Sequence, residues 1–362
     1  MWQQTYGWIS AFANYVISAA LALFLILMME KSIKSRSKKL YFLLPLAVAV
    51  SLFTENLTVY AFCAFFMFSL ICFIKTRRVN PFHIAMTTDS ALGGIIMFSN
   101  DLYAALLQNG TALDGIRSLA FDVNAGFGEI AAGWAERYFC GILPQLVFTY
   151  RWLSVVLLLM LILGAAVRKK TPAMPRLFIV SAVFAAVICI YPFLGYENRT
   201  LNGVLAVAFL LAVSLMISSG FEKRGKMLFL WLSAPGVLLP LIITTEIGPR
   251  LYYLPYILVA AVAVTALPGH VSKKTSGLIS GILALSLVGC MVFYGRIYVE
   301  IRSVTVARQN AINYAVENNL DSVIMEEDKN KYWWGRNPTA DVRVDFFKEF
   351  YGIPEDMEVI FE

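Results

Sequence analysis

Up to residue 295 the chain is a succession of long apolar runs separated by short polar turns. A hydrocarbon core of about 30 Å needs about 20 apolar residues in a helix, and somewhat fewer where a span is hidden among others. Runs at 12–29, 40–53, 57–74, 82–98, 145–167, 176–194, 201–219, 227–244, 251–268 and 276–295 therefore predict helical spans. The run 40–53 is short at about 1.5 Å per residue. It predicts that 40–74 is a helical hairpin whose tip, Thr54-Glu55-Asn56, lies below the membrane surface, where a carboxylate must face a wet or protein-lined cavity. The segment 99–144 is too long for a turn. Within it Phe127, Ile130, Ala131, Trp134 and Tyr138 recur at helical spacing with Glu129, Glu136 and Arg137 between them, the pattern of an amphipathic helix in the interface. After residue 296 the pattern changes: a helix over 297–318, a strand at Ser322–Met325, a helix near Ala340–Tyr351 and a strand at Glu358–Phe361 are expected. The predicted fold is an all-α polytopic transmembrane helical bundle of about ten spans over 1–296. A small C-terminal α/β appendage follows over 297–362, too small to carry much core of its own.

Composition agrees. With 59% hydrophobic and 15% charged residues, too little polar surface exists to cover a soluble globule. The net charge of +6 does not point to nucleic acid, because the cations sit in short turns beside apolar spans. Those turns alternate. Lys31, Lys34, Arg36, Lys38 and Lys39, then Lys75, Arg77 and Arg78, then Arg168, Lys169, Lys170 and Arg176, then Lys223, Arg224 and Lys226, and finally Lys273 and Lys274 occupy every second turn. Positive charge is retained on the cytoplasmic side, so the N-terminus, 99–144 and the appendage are expected outside the cytoplasm, in a cell (inner or plasma) membrane. Arg296, Arg302 and Arg308 break the charge rule, as long translocated segments can.

The turns poor in Lys and Arg hold the candidate chemistry. Glu55-Asn56 offers a carboxylate and an amide between two apolar helices; a partly desolvated Glu55 suits proton acceptance from an attacking hydroxyl. Helix capping by Thr54 or Asn56 explains the same residue types. Glu197-Asn198-Arg199 and Glu246-Ile247-Gly248-Pro249-Arg250 each join a carboxylate to an arginine. The planar guanidinium fork suits phosphate oxygens, while pairing of each Arg with the Glu of its own turn is the plainer alternative. Tyr252, in Arg250-Leu251-Tyr252-Tyr253, fits an interfacial belt or a sugar or isoprenoid entrance, and Trp8 and Asn14-Tyr15 fit interface anchoring. Asp89 is an acid within a span and a functional suspect on that ground, although a buried hydrogen bond to another helix would account for it. Sequons at Asn56, Asn109 and Asn198 carry little weight. Five cysteines, four of them in apolar runs, make no disulfide framework, and His83 and His270 have no partner at ligand spacing. No Gly-rich phosphate loop or Ser/His/Asp set is present in the sequence.

Phe53-Thr54-Glu55-Asn56, Leu92-Gly93-Gly94-Ile95-Ile96-Met97, Gly248-Pro249-Arg250-Leu251-Tyr252-Tyr253 and Phe347-Lys348-Glu349-Phe350-Tyr351-Gly352-Ile353 together resemble bacterial DUF6056-type polytopic membrane proteins. Those are similar to the GT-C class of glycosyltransferases. The resemblance implies sugar transfer from a polyprenyl-phosphate donor to a glycan, lipid or protein acceptor on the outer face, among membrane lipids and without nucleic acid. On that function the outer turns offer Glu55, Glu197 and Glu246 as candidate catalytic acids, with the latter two open to a divalent cation, and Arg199, Arg250, Asn56, Asn198 and Tyr252 as candidate contacts to lipid phosphate or sugar. The GT-C class usually carries an essential acid in a first outer loop after an N-terminal helix. That helix and loop have no counterpart before the first span here, which implies a truncated gene product, a start upstream of Met1 or a relocated acid, with Glu55 as the remaining base if the start is correct. A lipid or polysaccharide transporter would need polar residues through the midplane, where Asp89 is the chief example. A noncatalytic scaffold would need the outer carboxylates only as helix caps.

Overall fold

The computed structural model describes residues 12–35, 37–101, 103–105, 119–121, 125–149, 151–167, 176–191, 198–243, 247–267, 273–326 and 341–361. Glu197, Glu246, Trp8, His270, the Asn109 sequon and the basic residues Arg36 and 168–170 lie outside the described residues. The chain divides into two units, one within 10–269 and one within 270–362.

The first unit is almost wholly helical. A π-helical turn (Phe12–Ile17) leads into α1 (Ser18–Lys34), and a 3-10 turn (Lys38–Leu43) into α2 (Leu44–Val50). Then follow α3 (Glu55–Thr76), α4 (Pro81–Phe98) and α5 (Phe127–Glu136), which continues through π-helical turns Arg137–Ile142 and Gln145–Thr149. The unit is completed by α6 (Arg151–Ala166), α7 (Arg176–Ile190), α8 (Arg199–Gly220), α9 (Arg224–Gly236) and α10 (Tyr253–Ala266). A 3-10 turn at Leu239–Ile242 follows α9, and another at Pro249–Tyr252 precedes α10.

Among the described residues four helical stretches are long and apolar enough to cross a membrane: Asn14–Ile33, Glu55–Thr76, Arg199–Gly220 and Arg224–Ile242. Phe127–Thr149 with Arg151–Ala166, bent by 68°, makes a fifth if the pair is one span. The molecule is thus a helical membrane protein. Exposed Phe66, Leu70, Ile95, Leu159, Val183, Val204 and Leu211 are what a lipid-facing surface requires and what water would penalise.

Turn chemistry sets the helix boundaries. Asn80 caps α4, its Oδ1 accepting from Phe82 N at 3.1 Å, and Pro81 follows at the first helical position. Asn198 caps α8 in the same way, accepting from Leu201 N at 2.9 Å. The predicted short run at 40–53 is a 3-10 turn plus the seven residues of α2, about 20 Å of helix and less than a membrane core. It is held from the side instead: α2 packs on α4 at Gly93, where a Cβ would stand 2.6 Å from Val48 O. Ser51 and Ser90 bond at 2.9 Å in the same contact, and Thr58 donates to Ser51 O at 2.7 Å.

Two ends of this unit differ in charge. At one end Lys226 pairs with Glu30 at 2.6 Å, a Cβ on Gly225 would lie 4.0 Å from Lys75 Nζ, and α1 meets the start of α4. Thus the basic turns between α1 and α2, α3 and α4, and α8 and α9 gather there. The opposite end carries Glu55, Tyr103, Arg137, Arg199 and the 3-10 turn at 249–252.

In the second unit α11 (Lys273–Glu317) runs for 45 residues with no break at 296, so the predicted last span and the predicted first appendage helix are one element. Only Gly295 interrupts the helix formers near that point, and a single helical glycine costs about 1 kcal/mol, too little to end a helix. β1 (Ser322–Met325), α12 (Asp341–Tyr351) and β2 (Glu358–Phe361) follow, and the strands pair in parallel with Ser322 opposite Glu358 and Met325 opposite Phe361. This tail has its own core of Ile312, Ala315, Val323, Met325, Ile353 and Met357. Arg308 is buried beside it: Nε and Nη2 donate to Glu326 O at 3.0 and 2.8 Å, and the guanidinium lies 5.1 Å from the Phe361 ring centroid.

Candidate functional site at the Glu55 end

Glu55 opens α3 and is half-buried. Tyr103 Oη donates to its Oε1 at 2.5 Å, a short charge-assisted bond that fixes the carboxylate. Tyr103 is positioned by Phe98 at the end of α4, ring edge to face at 5.2 Å. Capping does not account for this turn. Thr54 makes no side-chain capping bond, and the Oδ1 of Asn56, buried in the first turn, has no partner among the described residues. A buried amide oxygen without a donor is costly unless something else supplies the hydrogen bond.

The second half of the site is cationic. The chain leaving α5 turns through Arg137–Ile142 and packs on α8, close enough that a Cβ on Gly203 would sit 2.7 Å from Phe139 O. That approach brings Arg137 and Arg199 together. Arg199 Nη1 pairs with Glu136 Oε1 at 3.4 Å, and a Cβ on Gly141 would lie 3.9 Å from Arg199 Nη2. Arg137 Nε donates to Leu241 O at 3.3 Å. Two guanidinium-bearing residues from distant parts of the sequence, Arg137 half-buried and Arg199 exposed, make a cationic place that favours an anion.

The elements around these groups are tightly tied. Tyr138 Oη donates to Pro235 O at 2.9 Å, Tyr252 Oη to Ile142 O at 3.1 Å and Tyr256 Oη to Gln145 O at 3.2 Å. Ala120 N donates to Ile243 O at 2.8 Å, Leu119 packs with Tyr103 and Phe121, and Phe121 meets Trp134 at 5.4 Å. The turn Leu239–Ile242 touches both α3 and Arg137–Ile142. One continuous set of contacts therefore links Glu55 to the two arginines across the ends of α3, α4, α8, α9 and α10.

The structure redistributes the expected roles. Arg199 pairs with Glu136 on another element; Glu197, its neighbour in sequence, lies outside the described residues, as does Glu246. Asn198 Oδ1 is engaged as a helix cap. Tyr252 is buried and gives its proton to a backbone carbonyl, so it supports the wall and holds Ile142 in place. Arg250 is half-buried in the turn that leads to α10. Asp89 makes no hydrogen bond among the described residues, and its neighbour Ser90 makes the interhelical one. Arg137 was not among the expected site residues. Its signal was weak: in sequence it is one charge on the polar side of an amphipathic helix, and only the packing of 137–142 on α8 gives it a partner. Among the described residues no group of three or more His, Cys, Asp or Glu side chains could hold a metal. Comparisons with family models, curated proteins and solved structures return no match for this chain.

Proposed function

We propose that the protein is a GT-C-like membrane glycosyltransferase, with about ten helical spans and the Glu55 end on the extracytoplasmic face. The observation that carries this reading is the convergence of the segment Arg137–Ile142 on Arg199, from elements far apart in sequence, at the same end as the tethered carboxylate of Glu55. The arginines hold the phosphate of a polyprenyl-phosphate sugar. As the bond between the sugar anomeric carbon and the phosphate oxygen breaks, its electron pair passes to that oxygen and the two cations stabilise the added charge. The acceptor hydroxyl forms the new bond to the anomeric carbon and its proton goes to Glu55. Tyr103 orients that carboxylate, and Asn56 Oδ1 accepts a hydrogen bond from the sugar or acceptor. Glu197 and Glu246, next in sequence to Asn198 and to the turn before α10, are the acids a divalent cation would use.

Support for the orientation comes from charge, since the basic turns gather at the other end. The test is sugar transfer from polyprenyl-phosphate donors in membrane vesicles holding Glu55→Gln, Arg137→Gln or Arg199→Gln. Loss of at least about 100-fold for Glu55→Gln and either arginine variant is expected, the size of effect seen when a charge-stabilising or general-base group is removed. Full activity in all three ends the assignment. The transport reading rests on Asp89, and uptake abolished by Asp89→Asn with the three site variants unaffected would favour it instead.

A further inference from the structure

Halfway along α4 two neighbouring polar residues face away from the bundle. Thr87 and Ser90 point inward: Thr87 Oγ1 lies 3.3 Å from Ser69 Oγ on α3, and Ser90 Oγ lies 2.9 Å from Ser51 Oγ at the end of α2. At about 100° per residue, Thr88 and Asp89 then fall on the other side of the helix. Thr88 is exposed at the centre of that side and Asp89 is half-buried at its edge, in a stripe completed by the exposed Ile84, Leu92, Ile95 and Ile96. Neither Thr88 nor Asp89 makes a hydrogen bond or an ion pair among the described residues.

The neighbouring span sets the depth of this pair. α4 runs antiparallel to α3, with Gly94 against Thr58, where a Cβ would stand 3.4 Å from the Thr58 methyl, and Thr87 against Ser69. Asp89 is therefore level with Phe66, near the middle of the span Glu55–Thr76, where Phe66 and Leu70 are exposed as lipid-facing residues are. An acid at that depth is costly against lipid and calls for a polar partner. A hydrogen bond to another helix would be the plain explanation, but in this turn of α4 Thr87 and Ser90 make those bonds and Asp89 does not.

We propose that this face of α4 is the contact between two copies of the chain, packed about a two-fold axis along the membrane normal, with Thr88 of each copy donating to the Asp89 carboxyl of the other. Such an axis returns the same patch at the same depth, so the polar level of one α4 meets that of its copy. The patch is self-complementary, since the hydroxyl supplies a donor and the carboxyl supplies acceptors; two equivalent bonds form and neither acid is left against lipid. Thr88, at the centre of the face, lies nearer the axis, and the edge position of Asp89 keeps the two acids apart. Ile84, Leu92, Ile95 and Ile96 carry no polar group that the contact would strand. A basic helix of another protein would use the carboxyl alone. The proposal is independent of the chemistry assigned to the Glu55 end.

The experiment is copper-phenanthroline cross-linking of the full-length chain in membranes, in a background without native cysteines. Leu92→Cys, one turn beyond the pair and 48% exposed, is expected to give a disulfide-linked species of twice the chain's mass. Val183→Cys, exposed on α7, is expected to give none. Adding Thr88→Val with Asp89→Leu is expected to lower the Leu92→Cys yield at least about tenfold, while Asp89→Asn, which keeps an acceptor, retains it. The purified double variant is expected to be a monomer with its helical circular dichroism kept. Absence of the linked dimer at Leu92→Cys overturns the proposal, as does an equal yield at Val183→Cys, which is what random collision gives. A Leu92→Cys adduct of another mass replaces the second copy with a different protein. An unchanged yield in the double variant, or loss with Asp89→Asn, overturns the Thr88–Asp89 bonds, and collapse of the helical signal would mean that the pair holds the chain itself together, against the proposal.

Discussion

The pair Arg199–Glu136 shows how weak an observed ion pair can be and how useful that weakness is. Both side chains are more than 60% exposed, at 63% and 64%, so solvent screening keeps the pair below about 1 kcal/mol. Arg199 is therefore available to a ligand. Glu136→Gln is expected to change thermal stability by no more than about 0.5 kcal/mol and to tighten binding of a lipid phosphate, because it removes the competing carboxylate. Isothermal titration of the detergent-solubilised protein would register this, and weaker binding in the variant would show that Glu136 helps to hold the ligand. Glu55 and Arg199 are legible as candidates in sequence, since a carboxylate and a cation at turns poor in Lys and Arg have no topological reason to be there. Arg308 teaches the converse. It breaks the charge rule in sequence, yet in the fold it is a buried donor to Glu326 O with an aromatic face beside it. Nothing about an arginine in a polar helix distinguishes those two fates before strand β1 is in place.

At the scale of elements, the hydropathy pattern predicts where helices lie better than it predicts what each helix can do. A helix lies at each predicted run of the first unit, but α2 and its preceding turn are too short to cross, and α7 and α10 are apolar helices of 15 and 14 residues. The two differ in surroundings: α10 buries Tyr253, Leu258, Val259, Val262, Ala263 and Ala266 against its neighbours, whereas α7 exposes Val180, Val183 and Val187. The segment 137–142 depends on close approach. Gly203 on α8 admits Phe139 O where a Cβ would stand at 2.7 Å, inside any tolerable contact. Gly203→Val must push the two apart, with an expected loss of about 1–3 kcal/mol from overpacking and a displaced Arg137. Hydrogen exchange read by mass spectrometry should show faster exchange over 137–142 and not over α3 and α4. Unchanged exchange there would mean that the approach is not what holds Arg137.

For the molecule as a whole, the separation of charge into two ends of the first unit is the property that relates structure to the membrane. Lys38 and Glu136 are exposed and belong to opposite ends. In a background without native cysteines, Glu136→Cys should react with an impermeant maleimide added to intact cells, and Lys38→Cys should react only after the membrane is opened. The reverse pattern would invert the topology and move the arginine site to the cytoplasmic face. Such a result would remove the extracytoplasmic reaction while leaving the fold intact.

The sequence by itself determined the membrane solvent, the helical class, the approximate helix positions and the strands of the tail. These follow from local quantities: the length of apolar runs, the period of the pattern, and cap residues such as Asn80 and Asn198. Tertiary structure alone decided that Glu55 is tethered by Tyr103, that Arg199 pairs with Glu136 beside Arg137, that the Asn56 amide oxygen is buried without a partner among the described residues, and that the helix at 296 does not break. Each of these depends on which surfaces pack together over long sequence separations. Hydropathy is blind to such packing, since lipid and a neighbouring helix are equally apolar surroundings.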